Sequence, residues 1–411
     1  MAQRTRLWVV SELYYPEETS TGYFLTRIAE GLAGDYAVEV IAAQPSYSER
    51  GIEAAADEDR NGTRIHRVRS THFNKDVLPL RAINVITFAL AVAFFAWRRL
   101  RPGDLLLVVT NPPTLPPILA FLARRRRVTS FLLVHDVYPE VLAAVGMVRL
   151  EGPIGRLLSL FFNRTLAWFD HILVIGRDMQ ALIETKLGPH RAVPISLIPN
   201  WGDPEEIAPI ARGANRFARE HGLTGKYVVQ FSGNIGRTHD IEAILALALR
   251  LRDDPDLLFL FVGYGGKTAH VTRFRETHGL ANIVLLPRQP RARLGEMLAC
   301  ADVTIVSLDR AMLGISVPSR MYNIMAAGIP ILAIAHPQSE LARCIEENDA
   351  GWTGTGETEA LVRLLDSART PEGARDAQAR GANGRAAVIR RYTFPAVLAQ
   401  FRAALATGAS A

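Results

Sequence analysis

The sequence is poor in cysteine and in lysine. Its 411 residues include two cysteines, Cys300 and Cys344, and neither belongs to a Cys-x-x-Cys pair or a Cys/His pair at metal-ligand spacing. This scarcity excludes a disulfide framework and a zinc site, and it is typical of a reducing compartment. Only four of the 47 lysine and arginine residues are lysines. So strong a bias reflects the base composition of a genome, and arginine abundance alone indicates no chemistry.

The amino terminus lacks the features of a signal peptide. MAQRTRLWVVSELYYP is basic but has neither a long apolar core nor a small-residue cleavage site. We therefore expect a cytoplasmic protein.

Acidic residues are almost absent between Arg81 and Arg127, where eight arginines face one acid, Asp104. The arginines flank two apolar stretches, 83–97 and 115–123, and both are shorter than the ~20 residues that span a bilayer. We expect neither stretch to be transmembrane. A buried helix with a solvated end and a helix lying in a membrane surface remain open alternatives. Few aromatics interleave with the arginines, so we expect no nucleic-acid partner.

Continuous β-branched and aliphatic runs alternate with helical stretches along the whole chain. This rhythm predicts an α/β protein with two doubly wound, Rossmann-like parallel-sheet domains that face each other across a cleft. We predict an amino-terminal domain over 1–199, a carboxyl-terminal domain over 200–389, and a last helix over 390–411 that returns to the first domain. The predicted strands are 7–10, 38–43, 105–109, 128–134 and 171–175 in the first domain, and 227–233, 257–263, 283–287, 303–307 and 331–335 in the second.

Glycines and polar residues follow several of these strands, where open parallel sheets bind their ligands. FSGNIGRTHD (231–240) pairs a glycine turn with Arg237, which suits a phosphate, although a tight turn with a solvated arginine has the same pattern. Ser20, Thr21 and Gly22 open a helix after the first strand. His135 and Asp136 follow a central strand, and a lone histidine there would ordinarily be structural.

VPSRMYNIMAAGIP (317–330) has the pattern of a short helix with a polar face. Pro318 and Ser319 suit its amino terminus, and Gly328-x-Pro330 ends it. Arg320 and Asn323 lie three residues apart on one side, where they would point at a ligand.

Taken in order, these motifs resemble the family 4 retaining glycosyltransferases of the GT-B fold over nearly the whole chain. The spellings HDVYPE, SGNIGR and PSRMYNIMAAGIP look closest to the fucosaminyl transferases of bacterial surface-polysaccharide assembly. The matching positions are Ser20 to Gly22, His135, Ile198-Pro199-Asn200 with Asp203, Ser232 to Asn234, Val262 to Gly265, and Ala326 to Pro330.

The resemblance implies that the second domain holds a nucleotide diphosphate sugar as donor substrate, that the first presents the acceptor, and that no metal or other cofactor is required. The family's two carboxylates would fall on Ile315 and Asn323, and its diphosphate cations on Asn234 and His239. Arg237 and Arg320 are then the substitutes, and Asn323 is expected to meet the ribose. We predict His135 and Arg237 as catalytic, and as donor-binding Ser20, Thr21, Gly22, Ser232, Gly233, Asn234, His239, Gly263, Gly265, Arg288, Ser319, Arg320 and Asn323.

Three functions compete on this basis. The first is transfer of a sugar, with retention, from a UDP-sugar to a glycan or a polyprenyl-diphosphate-linked acceptor at the inner face of the membrane. The second is a non-catalytic relative that binds a nucleotide sugar or acts as a scaffold, which the missing carboxylates motivate. The third is a sugar-nucleotide 2-epimerase, which would need carboxylates that the sequence does not supply.

Overall fold

The computed structural model describes residues 4–45, 53–71, 73, 78–189 and 192–409. The chain divides into two compact units. Unit 1 comprises Met1–Pro199 together with Leu398–Ala411, and unit 2 comprises Asn200–Val397.

The sheet of unit 1 has eight strands in the order β3-β4-β2-β1-β5-β6-β7-β8, and all neighbours are parallel except β3 and β4. Its central strands are buried along their whole length, because helices cover both faces of a parallel sheet. The strands are β1 Arg6–Val10, β2 Ala37–Ala42, β3 Asp57–Arg60, β4 Thr63–Arg67, β5 Leu105–Val109, β6 Thr129–Val134, β7 His171–Val174 and β8 Ile195–Leu197.

Seven helices belong to the described part of unit 1, in whole or in part. The last of them contacts the first, since Arg402 Nη2 donates to the Gly31 carbonyl of α1 at 3.2 Å. The helices are α1 Ser20–Leu32, α2 Leu78–Arg99, α3 Leu115–Arg126, α4 Glu140–Ala144, α5 Pro153–Leu166, α6 Arg177–Leu187 and α15 Phe394–Ala409.

The sheet of unit 2 has six strands, all parallel, in the order β11-β10-β9-β12-β13-β14. Phenylalanines and aliphatic residues of β9 and β10 pack against α8 and form the core of the unit. The strands are β9 Tyr227–Asn234, β10 Leu257–Tyr264, β11 Ile283–Leu286, β12 Val303–Ser307, β13 Ile331–Ile334 and β14 Gly351–Gly354.

Helix α11 of unit 2 is held in place by backbone contacts. A Cβ added at Gly202 would lie 2.4 Å from the Tyr322 carbonyl oxygen, so the chain passes directly against this helix. Arg385 of α14 donates to the Ile207 carbonyl and to the Ala326 carbonyl at the end of α11. The helices are α7 Arg216–Glu220, α8 Ile241–Arg250, α9 Thr268–His278, α10 Leu294–Leu298, α11 Arg320–Ala326, α12 Glu340–Glu347, α13 Thr358–Arg369 and α14 Pro371–Arg391.

The predicted fold class, two Rossmann-like parallel-sheet domains, is confirmed. The predicted strands agree with the observed ones to within a residue at each end. The hairpin of β3 and β4 was not predicted, although its turn, Asn61-Gly62, carries the strongest short hairpin signal and has positive φ at both residues. The last helix begins at Phe394, since residue 390 still lies within α14.

Helix α2 is longer than its sequence suggested. It runs for 22 residues because the turn before the apolar stretch continues the helix back to Leu78. The expectation that this segment is too short to span a bilayer is therefore wrong. Among the described residues α2 alone is long and apolar enough to cross a membrane, by length and composition only, and 28% of its most apolar window is buried. Core helices of soluble proteins can meet the same criterion.

Candidate functional site

Two glycines bring the carboxyl ends of β9 and β10 into unusually close contact. Gly233 and Gly263 are paired in register and have φ values of 121° and 144°. A Cβ added at Gly263 would lie 1.9 Å from the Gly233 carbonyl oxygen. Any other residue would push the strands apart, so these two predicted site residues have a physical reason to be glycine.

Asn234 lies beside two further glycines at the same end of the sheet. Its side-chain oxygen would be 2.4 Å from a Cβ on Gly265, and its nitrogen 2.8 Å from a Cβ on Gly236. Asn234 is itself exposed, so an amide and bare backbone form the surface of this turn. Such a surface offers hydrogen bonds to a ligand but no charge.

The positive charge next to this turn comes from Arg320 at the start of α11. Its Nη1 donates to the Ser232 carbonyl at 2.8 Å, and its guanidinium carbon lies 4.5 Å from the centre of the Phe231 ring. No carboxylate among the described residues pairs with it. Desolvation lowers the pKa of Arg320 to about 10, so the guanidinium stays charged at neutral pH.

His239 lies against this guanidinium and is neutral. Its Nδ1 donates to the Ser307 carbonyl at 2.7 Å, which leaves Nε2 to accept from Arg320 Nη2 at 3.1 Å. Burial, and then the charge of Arg320, lower the pKa of His239 to about 3. His239 therefore supplies no cation where the resemblance expected one, and it positions Arg320 instead.

Lys267 is a cation of this region that the sequence reasoning missed. Its Nζ donates to the His239 carbonyl at 3.0 Å from the loop between β10 and α9. The signal was present in VGYGGKT, because this lysine directly follows the glycines at the end of a strand.

The remaining predicted residues of unit 2 differ in their surroundings. Arg237 is exposed and has no hydrogen-bond or ion-pair partner among the described residues, and Arg288 is exposed after β11. Asn323, half-buried on α11, has a buried Oδ1 without a partner in the described part of the chain. Ser319 precedes α11, which has only seven residues and no side-chain cap. Ile315 is 5% exposed, so no polar group replaces the first carboxylate.

The predicted residues of unit 1 open α1 as expected, and the residue before them caps the helix. Thr19, not Ser20 or Thr21, accepts from the Gly22 amide at 3.2 Å. A Cβ at Gly22 would lie 2.6 Å from the Glu17 carbonyl oxygen, which accounts for the glycine. Ser20 and Thr21 are therefore not needed for the cap.

His135 follows β6, where the sequence placed it. The Thr110 hydroxyl accepts from the His135 amide at 3.1 Å and from the Asp136 amide at 3.2 Å. Asp136 is fixed in turn, since Asn111 Nδ2 donates to its Oδ2 at 2.6 Å. Burial lowers the pKa of His135, and the Asp136 charge opposes this, so a neutral imidazole is held at the end of the strand.

Comparison with known proteins identifies the family. The profile described as "Glycosyl transferase 4-like domain" matches residues 21–201, and the one described as "Glycosyl transferases group 1" matches residues 214–385. WbjE of Pseudomonas aeruginosa, named as a glycosyltransferase, is 32% identical over 362 residues that cover 88% of each chain. The chain belongs to the group 1 glycosyltransferases.

Two further proteins resemble this glycosyltransferase. WcaI of Escherichia coli strain K12, whose name assigns it to colanic acid biosynthesis, is 27% identical over 81% of this chain and 84% of its own. The structure of HepE from Anabaena in complex with UDP-glucose superposes with a TM-score of 0.73 at 14% identity, over 98% of this chain and all of the other. At that identity the likeness shows the fold alone.

The neutral state of His239 predicts a pH dependence of stability in this glycosyltransferase. Folding lowers the pKa of His239 from 6.5 to about 3, so the unfolded chain takes up the proton first. The free energy of unfolding therefore has its full value above the unfolded-state pKa of 6.5. It falls as the pH decreases from there towards about 3, by at most about 1.4 kcal/mol per pH unit. We expect His239→Gln to have a shallower slope than the wild type in denaturant titrations between pH 4 and 7.

The control is His278→Gln, because His278 is exposed at the end of α9 and its ring contacts the Phe274 carbonyl rather than a carboxylate. This variant should keep the slope of the wild type. Equal slopes for the wild type and His239→Gln would show that His239 is not held neutral.

Proposed function

We propose that this enzyme transfers a sugar from a UDP-sugar, with retention of configuration and without a metal, to a glycan or polyprenyl-diphosphate-linked acceptor in bacterial surface-polysaccharide assembly. The name of WcaI, with its reference to colanic acid, supports the pathway class. The UDP-glucose in the HepE complex supports a UDP-linked donor.

One observation carries the proposal: Arg320 is a desolvated guanidinium without a carboxylate partner among the described residues. A cation removed from water is costly unless an anion pairs with it. Every polar partner described for Arg320 is neutral, namely the Ser232 carbonyl and the His239 imidazole. A diphosphate would supply the missing negative charge, and arginine binds phosphate oxygens in a bidentate manner.

The same residues suit the departure of a nucleoside diphosphate. Negative charge grows on the diphosphate as its bond to the sugar breaks, and fixed cations stabilise that charge without a metal. Arg320 and Lys267 both contact His239, and the Arg237 side chain is exposed to solvent at the edge of the glycine turn.

The predicted role of His135 is to orient the sugar or to stabilise developing charge. His135→Ala tests this role, because this variant should lose turnover but still bind UDP.

The proposal predicts that Arg320→Gln separates UDP from uridine. We expect calorimetric titration to show a loss of about 2 to 3 kcal/mol in UDP binding, because one charge-assisted contact is removed, and little change for uridine. In the same variant, turnover of the UDP-sugar should fall by a larger factor than UDP binding. Arg237→Ala should slow transfer by more than it weakens uridine binding. EDTA should change neither rate.

Arg273→Gln is the control, because Arg273 is exposed on α9. An Arg320→Gln variant with the UDP affinity of the wild type would remove this residue from the diphosphate site. Loss of activity in EDTA with recovery in Mg²⁺ would rule out the metal-free mechanism.

Asn323 is proposed to meet the ribose where the family has a carboxylate, and its buried Oδ1 has no partner among the described residues that would hold the amide in place. A neutral amide accepts more weakly than the family's carboxylate, so the difference is roughly 1 kcal/mol. We expect Asn323→Ala to weaken UDP binding more than binding of the 2′,3′-dideoxy analogue, and Asn323→Glu to retain or improve it. Equal losses for the two nucleotides would assign Asn323 a structural role.

The non-catalytic alternative rests on buried Ile315, which leaves one expected carboxylate without any replacement. Purified protein incubated with a panel of nucleotide sugars separates the two functions. Release of UDP, with or without an acceptor product, supports the enzyme. Saturable binding with no release over hours supports the non-catalytic relative.

We further propose that the enzyme lies on the inner face of the membrane, with arginines at the ends of α2 and α3 against anionic lipid. Their guanidinium groups have no carboxylate partner among the described residues, and each contributes about 1 kcal/mol near such a surface, an attraction that salt screens. They are Arg98, Arg99, Arg101 and Arg124 to Arg127.

Vesicle flotation tests this location. We expect preferential binding to anionic vesicles, a decline with salt, and loss of the preference when the seven arginines are changed to glutamine. A control replaces as many exposed arginines of unit 2, Arg273 and Arg363 among them, and should still float. Equal partitioning onto neutral and anionic vesicles would reject the proposal.

A further inference from the structure

Helix α2 turns an apolar stripe outwards. Its exposed apolar residues follow one another at spacings of three, four, four and three, which places them on one side of the helix. Their exposed fractions range from 42% to 64%, whereas Phe88, Val92 and Ala96 on the other side are buried. The stripe consists of Ile83, Ile86, Leu90, Phe94 and Trp97.

Helix α5 is also apolar on its solvent side. Ile154, Leu157 and Leu160 are each more than 60% exposed, and Phe161 is 45% exposed. A surface helix ordinarily turns such residues to the core, and large exposed apolar patches mark interaction sites. The sequence analysis did not single out this helix.

A cavity of about 690 Å³ lies among α2, α3 and α5. Thr114 and Trp168 carry the only polar side-chain atoms of the ten lining residues, so neither a sugar nor a peptide backbone would find its hydrogen bonds there. A hydrocarbon chain has no hydrogen-bonding groups to satisfy, so it suits this lining. The lining includes Ala93, Ile118, Phe121, Phe161, Phe162 and Trp168, and we call it the apolar pocket.

Arginines stand at one end of the apolar pocket. The Arg125 guanidinium lies 5.1 Å from the ring centre of Phe121, which lines the pocket. Arg126 lies 4.0 Å from the Trp97 ring and donates to the Trp97 carbonyl, so the carboxyl ends of α2 and α3 are adjacent. The apolar pocket therefore has an apolar lining and cationic side chains at its rim.

This combination selects one occupant. We propose that the apolar pocket holds the hydrocarbon chain of the acceptor lipid while the arginines at its rim meet the phosphate that links chain to glycan. A second copy of the protein fits less well, because symmetric pairing would bring the same unpaired arginines into one interface. The inference rests on the lipid-linked acceptor of the proposed function, and it assigns that substrate a binding site.

Titration with farnesyl phosphate, farnesol and hexyl phosphate tests the pocket, with the fluorescence of Trp97 and Trp168 as the readout. Each methylene kept out of water changes the affinity by a factor of about four. We expect farnesyl phosphate to bind at least about tenfold more tightly than hexyl phosphate. Arg125→Gln should weaken binding of farnesyl phosphate but not of farnesol.

Ala93→Phe fills the pocket and should weaken farnesyl phosphate binding by about tenfold or more. Phe121→Ser alters a lining side chain that is 48% exposed, so the fold should tolerate this substitution even if Ala93→Phe unfolds the protein. It should also weaken the binding of farnesyl phosphate. The matched control is Leu90→Ser, on the exposed stripe of α2 but outside the pocket lining, and it should bind within a factor of about two of the wild type.

The inference is overturned if hexyl and farnesyl phosphate bind with equal affinity, or if folded Ala93→Phe binds farnesyl phosphate as tightly as the wild type. It is also overturned if sedimentation shows a dimer that these pocket substitutions dissociate. These outcomes are distinct from failure of the proposed function. A protein that binds farnesyl phosphate but no UDP would refute the proposed donor alone. A protein that turns over UDP-sugar but binds no chain would refute the pocket alone.

Discussion

The candidate site depends on one interaction, the guanidinium of Arg320 held among neutral partners. A charged side chain survives partial burial only where dipoles or an anion replace the water that it has lost. Here the dipoles come from the Ser232 carbonyl and from an imidazole whose single proton is committed to the Ser307 carbonyl. Burial, and then the charge of Arg320, lower the pKa of His239, and the neutral imidazole in turn lets the arginine remain a cation beside it.

The neighbouring elements can be understood as the support for that cation. Gly233 and Gly263 bring two strand ends together, and a Cβ at Gly233 would lie 3.0 Å from Arg320 Nη1, so the guanidinium occupies the space that a side chain would fill. The lost carboxylates fit the same picture. With Ile315 buried and Asn323 neutral, no acid on this segment neutralises Arg320, and its charge remains for a ligand.

The sequence was a good guide to the parallel strands and a poor guide to charge. Runs such as LLLVV are apolar throughout because both faces of the strand are covered, so their bounds can be read directly. The β3–β4 hairpin was missed because its polar DEDR strand lies at the edge of the sheet and shows no apolar alternation. The residue types at Arg320 and His239 were visible, but the neutrality of the imidazole depends on its burial and on a guanidinium 81 residues away. The outward apolar face of α5 was equally hidden, because periodicity gives a stripe and not the direction in which it points.

The contact between Gly202 and the backbone of Tyr322 has a mechanical consequence. Tyr322 lies between Arg320 and Asn323 on α11, and a Cβ at Gly202 would meet its carbonyl oxygen at 2.4 Å. The segment that begins unit 2 therefore packs directly against the helix that carries Arg320 and Asn323, the two proposed nucleotide contacts. Any side chain at residue 202 would have to displace α11, so a position outside the helix fixes where the helix lies.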